Sequence, residues 1–136
     1  MKTLVINGPN LNLLGKREND IYGNFTLNDL KNELINTFPQ VDFEFYQSNV
    51  EGELINTIQN FKGDAIVINA GGYTHTSVAI ADALRAIDKP YIEVHISNVY
   101  AREDYRHVSM MAAAAKGVIA GLGKDVYVFA VKHLVG

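Results

Sequence analysis

Five short runs rich in aliphatic and β-branched residues, with stretches of helical spacing set between them, constrain this fold more than any other feature. The runs are Thr3–Asn7, Val41–Tyr46, Ala65–Asn69, Tyr91–Ser97 and Val118–Ala120. Leu27, Leu30, Leu34 and Phe38 recur at helical intervals, with Thr26 and Asn28 as candidate caps and Pro39 as a stop. Glu53 to Phe61 repeats the pattern through Leu54, Ile58 and Phe61. Thr76 to Ile87 does so through Val78, Ala79, Ala83 and Ile87, with Thr76 or Ser77 as its cap. Strands apolar on both sides, alternating with helices, indicate a parallel sheet covered on both faces. Five of them in a 136-residue chain predict an α/β, flavodoxin-like, doubly wound five-stranded parallel sheet with helices on both faces. Asp125 to Val135 has strand propensity. Its spacing at Val126, Phe129, Ala130, His133 and Leu134, and the place left for a closing element, predict a helix instead. With no repeat, linker or low-complexity tract, residues 1–136 are expected to form a single domain.

Composition removes several classes of function. The net charge of −3 and pI of about 5.7 argue against non-specific binding to nucleic acid or to a membrane surface. The absence of cysteine excludes disulfides and thiolate metal sites. No window reaches the roughly 18 apolar residues of a membrane span, and the apolar run closed by Asn7 is short for a signal peptide. A cytoplasmic protein is the expectation.

In a doubly wound fold, ligands bind beyond the carboxyl ends of the strands, and this sequence gathers its unusual residues there. The first strand runs into Asn7-Gly8-Pro9-Asn10, which opens a polar, glycine-punctuated segment to Gly23 carrying Arg17 and Tyr22. Long connections of this kind are usually functional lids or linkers. The third strand ends at Asn69, followed by Ala70-Gly71-Gly72 and His75. The fourth carries Glu93 and His95, two apart and so on one face, where a carboxylate can hold and tune an imidazole. Arg102 to His107 adds a charged stretch. Taken singly, most of these have plain readings. Asn7 and Asn69 satisfy turns, Tyr22 packs, His75 caps a helix, and Arg102 and Arg106 form a solvated face. Their convergence on one rim favours a site, and a buried Glu-x-His without purpose would be costly.

The runs INGPNLNLLGKRENDIYG, NAGGYTHTSVAIADAL, PYIEVHISNVYAREDYRHVS and GVIAGLG are jointly specific. Over essentially its whole length the chain resembles the type II dehydroquinase family, the type II 3-dehydroquinate dehydratases of the shikimate and quinate pathways. The resemblance implies that Tyr22 is the base and that Arg17 stabilises the transition state and the tyrosinate. It makes His95 the general acid, backed by Glu93, and gives Asn10 a water near the developing enolate oxygen. Substrate contacts carry over to Asn69, His75, the backbone amides of Ile96 and Ser97, and Arg106. Asp82 is expected to reach a neighbouring subunit's site. The family implies trimers assembled into a homododecamer, the small-molecule substrate 3-dehydroquinate, no nucleic-acid or membrane partner, and no metal or organic cofactor. Asn19 stands where a proline is common, Val108 replaces a frequent histidine, and Met110-Met111-Ala112 departs from the usual run. These changes bear on the lid and the surroundings of Arg106, and remove no catalytic group.

The chemistry is energetically consistent. Forming a phenolate at pH 7 from a free tyrosine costs roughly 4 kcal/mol. An arginine at about 4–5 Å, in an effective dielectric near 20, returns about 3–4 kcal/mol. A flavodoxin-like binding or signalling module is the alternative. A flavin site would want a Ser/Thr-rich phosphate loop after the first strand, which GPNLNLLG does not supply. A phospho-receiver would want acids where Asn7 and Asn69 stand.

Overall fold

In the computed structural model, which describes residues 1–16 and 18–136, all five apolar runs are strands of one parallel sheet. They are β1 (Lys2–Asn7), β2 (Asp42–Gln47), β3 (Ala65–Asn69), β4 (Tyr91–His95) and β5 (Gly117–Ala120), in the order β2-β1-β3-β4-β5. Five helices follow in chain order: α1 (Asn19–Tyr22), α2 (Leu27–Thr37), α3 (Glu51–Asn60), α4 (Val78–Ala86) and α5 (Asp125–Val135). This is the doubly wound, flavodoxin-like arrangement, and its strand order reverses between β1 and β3.

Each sheet face has its own core, because strand side chains alternate. Val5, Val67, Ile92 and Val94 pack under α2 and α5, against Leu30, Leu34, Val126, Ala130 and Val131. Leu4, Ile6, Ile66 and Ile68 pack under α3 and α4, against Leu54, Ile58, Ile80 and Leu84. Burying each of these larger aliphatic side chains contributes about 1.5–3 kcal/mol. Thr26 begins α2 with a capping box. Its hydroxyl accepts from the Asp29 N–H at 3.1 Å, and the Asp29 carboxylate accepts from the Thr26 N–H at 3.0 Å.

Several element boundaries and faces differ from the sequence reading. Thr26, not Asn28, caps α2, and Ser77, not Thr76, caps α4 by accepting from the Ile80 N–H at 2.9 Å. Helix α3 begins at Glu51 rather than Glu53, where Ser48 holds the entry by accepting from the Val50 N–H and donating to Glu53. The buried stripe of α4 runs through Ile80, Ala81, Ala83 and Leu84, leaving Val78 exposed. That of α5 runs through Val126, Tyr127, Ala130 and Val131, leaving Phe129 exposed. In α4 the choice among several apolar positions was degenerate. In α5 it was decided by a polar tip, the Tyr127 hydroxyl. Strand β4 stops at His95 rather than Ser97, because the carbonyls of His95 and Ile96 accept from the N–H groups of Gly121 and Gly123 in the turn after β5.

The ends of β1 and β3 nearly touch. The Gly8 N–H donates to the Asn69 carbonyl at 2.7 Å, and a Cβ on Gly8 would lie 2.3 Å from the Ala70 carbonyl oxygen. Backbone on one side and strand on the other leave no room to shift. Gly8→Ala is therefore expected to destabilise the fold by about 3 kcal/mol or more, read as a lower denaturant midpoint with an unchanged m-value. Thr26→Ala, which removes only the cap, is expected to cost about 1 kcal/mol.

Candidate active site

Beyond the β1/β3 switch point the chain does not run as a bare loop. Asn10 takes a left-handed conformation with φ of 71°, and its N–H donates to the Asn49 side chain at 3.0 Å. A 3-10 turn at Leu11–Leu13 follows, and Leu11 and Leu14 bury their side chains in the α2/α5 core. The short helix α1 then delivers Tyr22. The sequence reading saw a lid without secondary structure; its described residues carry a 3-10 turn and a short helix instead. Arg17 lies outside the described residues.

Tyr22 is half-buried and lines a cleft of about 120 Å³ with Asn10, Asn69, His75, His95, Ile96, Ser97, Arg102 and Arg106. The cleft adjoins a groove of about 400 Å³ along Gly121–Asp125, with which it shares Tyr22, Ile96 and Ser97. Its side chains come from opposite faces of the sheet. Asn69 continues the Val5/Val67 side, and His95 the side of Leu4 and Ile68.

His95 and Glu93 are both buried, and the His95 Nε2 lies 2.5 Å from the Glu93 Oε2. The other carboxylate oxygen accepts from the Ser109 hydroxyl at 2.6 Å. Ser109 Oγ itself accepts from the Met111 and Ala112 N–H groups, so its proton is committed to Glu93. Sequence reasoning missed Ser109, which offers no signal at the sequence level. The chain therefore builds a relay Ser109–Glu93–His95 that fixes the plane of the imidazole.

His75 stands beside His95, with ring centroids 6.2 Å apart. Its Nδ1–H donates to the Val108 carbonyl at 2.8 Å, since a carbonyl can only accept, and this leaves Nε2 as an acceptor. Partial burial, followed by the neighbouring His95 and Arg106 charges, holds the His75 pKa below its ordinary value of 6.5 against the opposing effect of the Val108 bond. His75 is thus neutral at neutral pH, and its Nε2 is able to accept a hydrogen bond from a ligand hydroxyl.

Two arginines reach the cleft, although their plain reading was a solvated face. The Arg106 Nε donates to Glu103 at 2.5 Å. The guanidinium of Arg102, given no role in the site by the sequence reading, sits 5.2 Å from the Tyr22 ring centroid and donates to the Ser97 hydroxyl at 3.2 Å. Arg102 follows the 3-10 turn Val99–Ala101 and Arg106 ends the next, Asp104–Arg106, so their four-residue spacing gave no sign that both reach the cleft. After Ser97 comes the three-residue turn Val99–Ala101 rather than a longer helix. Asp82 does not line the cleft; it is exposed on α4 and pairs with Arg85 at 3.1 Å.

Fold and cleft together define the class: a doubly wound α/β protein with acid–base side chains gathered at the carboxyl edge of its sheet. The family model described as dehydroquinase class II matches residues 1–135. The chain is 54% identical to a 3-dehydroquinate dehydratase of Fusobacterium nucleatum, over 99% of this chain and 97% of that protein. It is 50% identical to one from Prochlorococcus marinus, over 99% and 96% respectively. Among solved structures, the type II dehydroquinase of Butyrivibrio crossotus superposes with a TM-score of 0.97 at 46% identity, covering 100% of this chain and 98% of that one. This chain belongs to the class II dehydroquinase family.

A histidine whose folded pKa is depressed binds its proton later than in the unfolded chain. Its contribution to stability is present above 6.5 and is lost as pH falls below that value. The melting temperature is expected to fall more steeply between about pH 7 and pH 5.5 in the wild type than in His75→Asn, as read by differential scanning calorimetry.

Proposed function

We propose that this chain is a 3-dehydroquinate dehydratase of the type II class, a hydro-lyase that eliminates water from 3-dehydroquinate to give 3-dehydroshikimate through an enolate. The observation that carries the reading is geometric. A tyrosine delivered by the segment after β1 and a carboxylate-held histidine at the end of β4 line the same cleft.

Tyr22 removes a proton from the carbon beside the ketone, and the electron pair moves onto the carbonyl oxygen as an enolate. The enolate then collapses, the bond to the β-hydroxyl breaks, and His95 supplies the proton that turns the leaving hydroxide into water. A base and an acid on opposite walls suit an anti elimination. The Arg102 guanidinium, 5.2 Å from the Tyr22 ring centroid, holds that ring at the wall of the cleft and so supports the placement of the base. In this reading Arg17, from the same segment as Tyr22, is the transition-state stabiliser. Asn10 holds a water near the enolate oxygen. Asn69, His75, Ser97, Arg106 and the Ile96 amide orient the ring and its carboxylate, and the acceptor Nε2 of His75 meets a substrate hydroxyl. Closure of the lid segment excludes water and strengthens each of these interactions.

Residues 1–136 act as one catalytic domain in a cytoplasmic homododecamer of trimers. Asp82 would contact a neighbouring subunit's site, which its exposure on α4 allows. No described helix is long and apolar enough to cross a membrane. The product feeds chorismate and aromatic amino acid biosynthesis, or quinate is degraded through the same step. A flavodoxin-like binding or signalling role is not favoured, since asparagines stand where a receiver needs acids.

The test is the ultraviolet absorbance of the conjugated enone formed from 3-dehydroquinate. Tyr22→Phe and His95→Ala are each expected to lower kcat by about 10²–10⁴-fold, with substrate binding by calorimetry retained in Tyr22→Phe. Near-normal turnover by Tyr22→Phe would exclude it as the base. Arg17→Ala is expected to lower kcat by about 10²-fold.

A further inference from the structure

At the switch point, sheet register sets two carboxamides side by side. Asn7 and Asn69 are partners as the last residues of β1 and β3, both nearly fully buried on the face covered by α5. Between them lies the hydroxyl of Tyr127, a side chain 0% exposed in the first turn of α5. That hydroxyl is 2.9 Å from the Asn69 Nδ2 and 2.5 Å from the Asn7 Oδ1.

The polarity of this chain of groups is fixed from one end. A backbone N–H can only donate, and the Gly71 N–H lies 3.2 Å from the Asn69 side chain, so the atom it meets is the carboxamide oxygen. The nitrogen therefore faces Tyr127 and donates to it. Having accepted, the phenol directs its own proton to the Asn7 oxygen. Full burial also pushes the Tyr127 hydroxyl to a higher pKa, which keeps it a neutral donor throughout the working range of pH.

We propose that Tyr127 is a positioning residue: it locks the Asn69 carboxamide so that its one remaining N–H is presented to the cleft. One amide proton is held by Tyr127, and Asn69 lines the cleft with Tyr22 and His95. The site therefore offers a fixed donor there, suited to an acceptor oxygen on the ligand, a hydroxyl or carboxylate oxygen of a polyhydroxylated ring acid. The role rests on the dehydratase reading above. Its value is in binding: a donor that cannot rotate meets the ring without first having to be ordered. A freed carboxamide could turn its oxygen to the same ligand atom and repel it. Nothing in the sequence pairs Tyr127 with two asparagines more than fifty positions away.

The experiment is a double-mutant cycle in the full chain, combining Tyr127→Phe with Asn69→Ala, read in the enone assay and by denaturation. Tyr127→Phe keeps the ring and removes only the hydroxyl. Expected are a KM raised about tenfold with kcat nearly retained, and no further loss of kcat/KM when Tyr127→Phe is added to Asn69→Ala. A wild-type KM in Tyr127→Phe, or losses that multiply independently in the double variant, overturns the proposal. If Tyr127→Phe does not fold, Asn7→Leu removes the acceptor of the phenolic proton from outside the cleft. It is expected to reproduce the KM rise, and an unchanged KM overturns the proposal. A wild-type chain inert toward 3-dehydroquinate sinks the dehydratase reading instead. The clamp is then judged by the stability cycle, where additivity of the two substitutions overturns it.

Discussion

The parallel pairing of β1 with β3 is the constraint on which the site depends. Their register brings Asn7 beside Asn69, and the hydrogen bond from the Gly8 N–H to the Asn69 carbonyl closes the gap between the two chain exits. From that point the chain leaves toward Tyr22 on one side and toward His75 on the other. A slip of β1 by one residue would turn Asn7 into the opposite core and carry Gly8 away from the Ala70 carbonyl, where its missing side chain is needed. Buried aliphatic residues on two faces make such a slip expensive, so hydrophobic packing far from the cleft sets the geometry within it.

The cleft divides its labour between a rigid floor and a wrapped wall. On the floor, Glu93, His95 and Asn69 lie at the ends of buried strands and are held by hydrogen bonds: Glu93 to Ser109 and His95, Asn69 to Gly71 and Tyr127. The wall is the segment from Asn10 to Tyr22, pinned at one end by Leu11 and Leu14 and touched from across the cleft by Arg102. Such an arrangement suits a reaction that needs an immobile acid and a base that can be sealed over the substrate.

Much of this was legible in the sequence, for identifiable reasons. The five strands declared themselves because burial on two faces forces continuous apolar runs, and Leu30, Leu34, Leu54 and Ile58 were found because their helices have one dominant stripe. Glu93 and His95 were found because two titratable groups in a buried strand are conspicuous. Faces of α4 and α5 were misplaced because those helices are apolar on most sides, so periodicity alone could not orient them. Arg102 was passed over because an arginine in a charged run reads as solvated. Its inward turn depends on the irregular path after β4. Tyr127 and Ser109 escaped because their partners lie on other strands, and only the folded register brings them together.

The charge balance of the cleft reaches beyond catalysis. Arg102 and Arg106, the latter paired with Glu103, both line it, and no Asp or Glu is among the described residues that do. A small, half-enclosed space with this bias is expected to attract small anions, sulfate or phosphate in a buffer among them. Ionic strength then has two effects of the same sign, screening the approach of the substrate and supplying competitors for its seat. The protein should be handled in chloride or zwitterionic buffers of low strength when its cleft is to be left open.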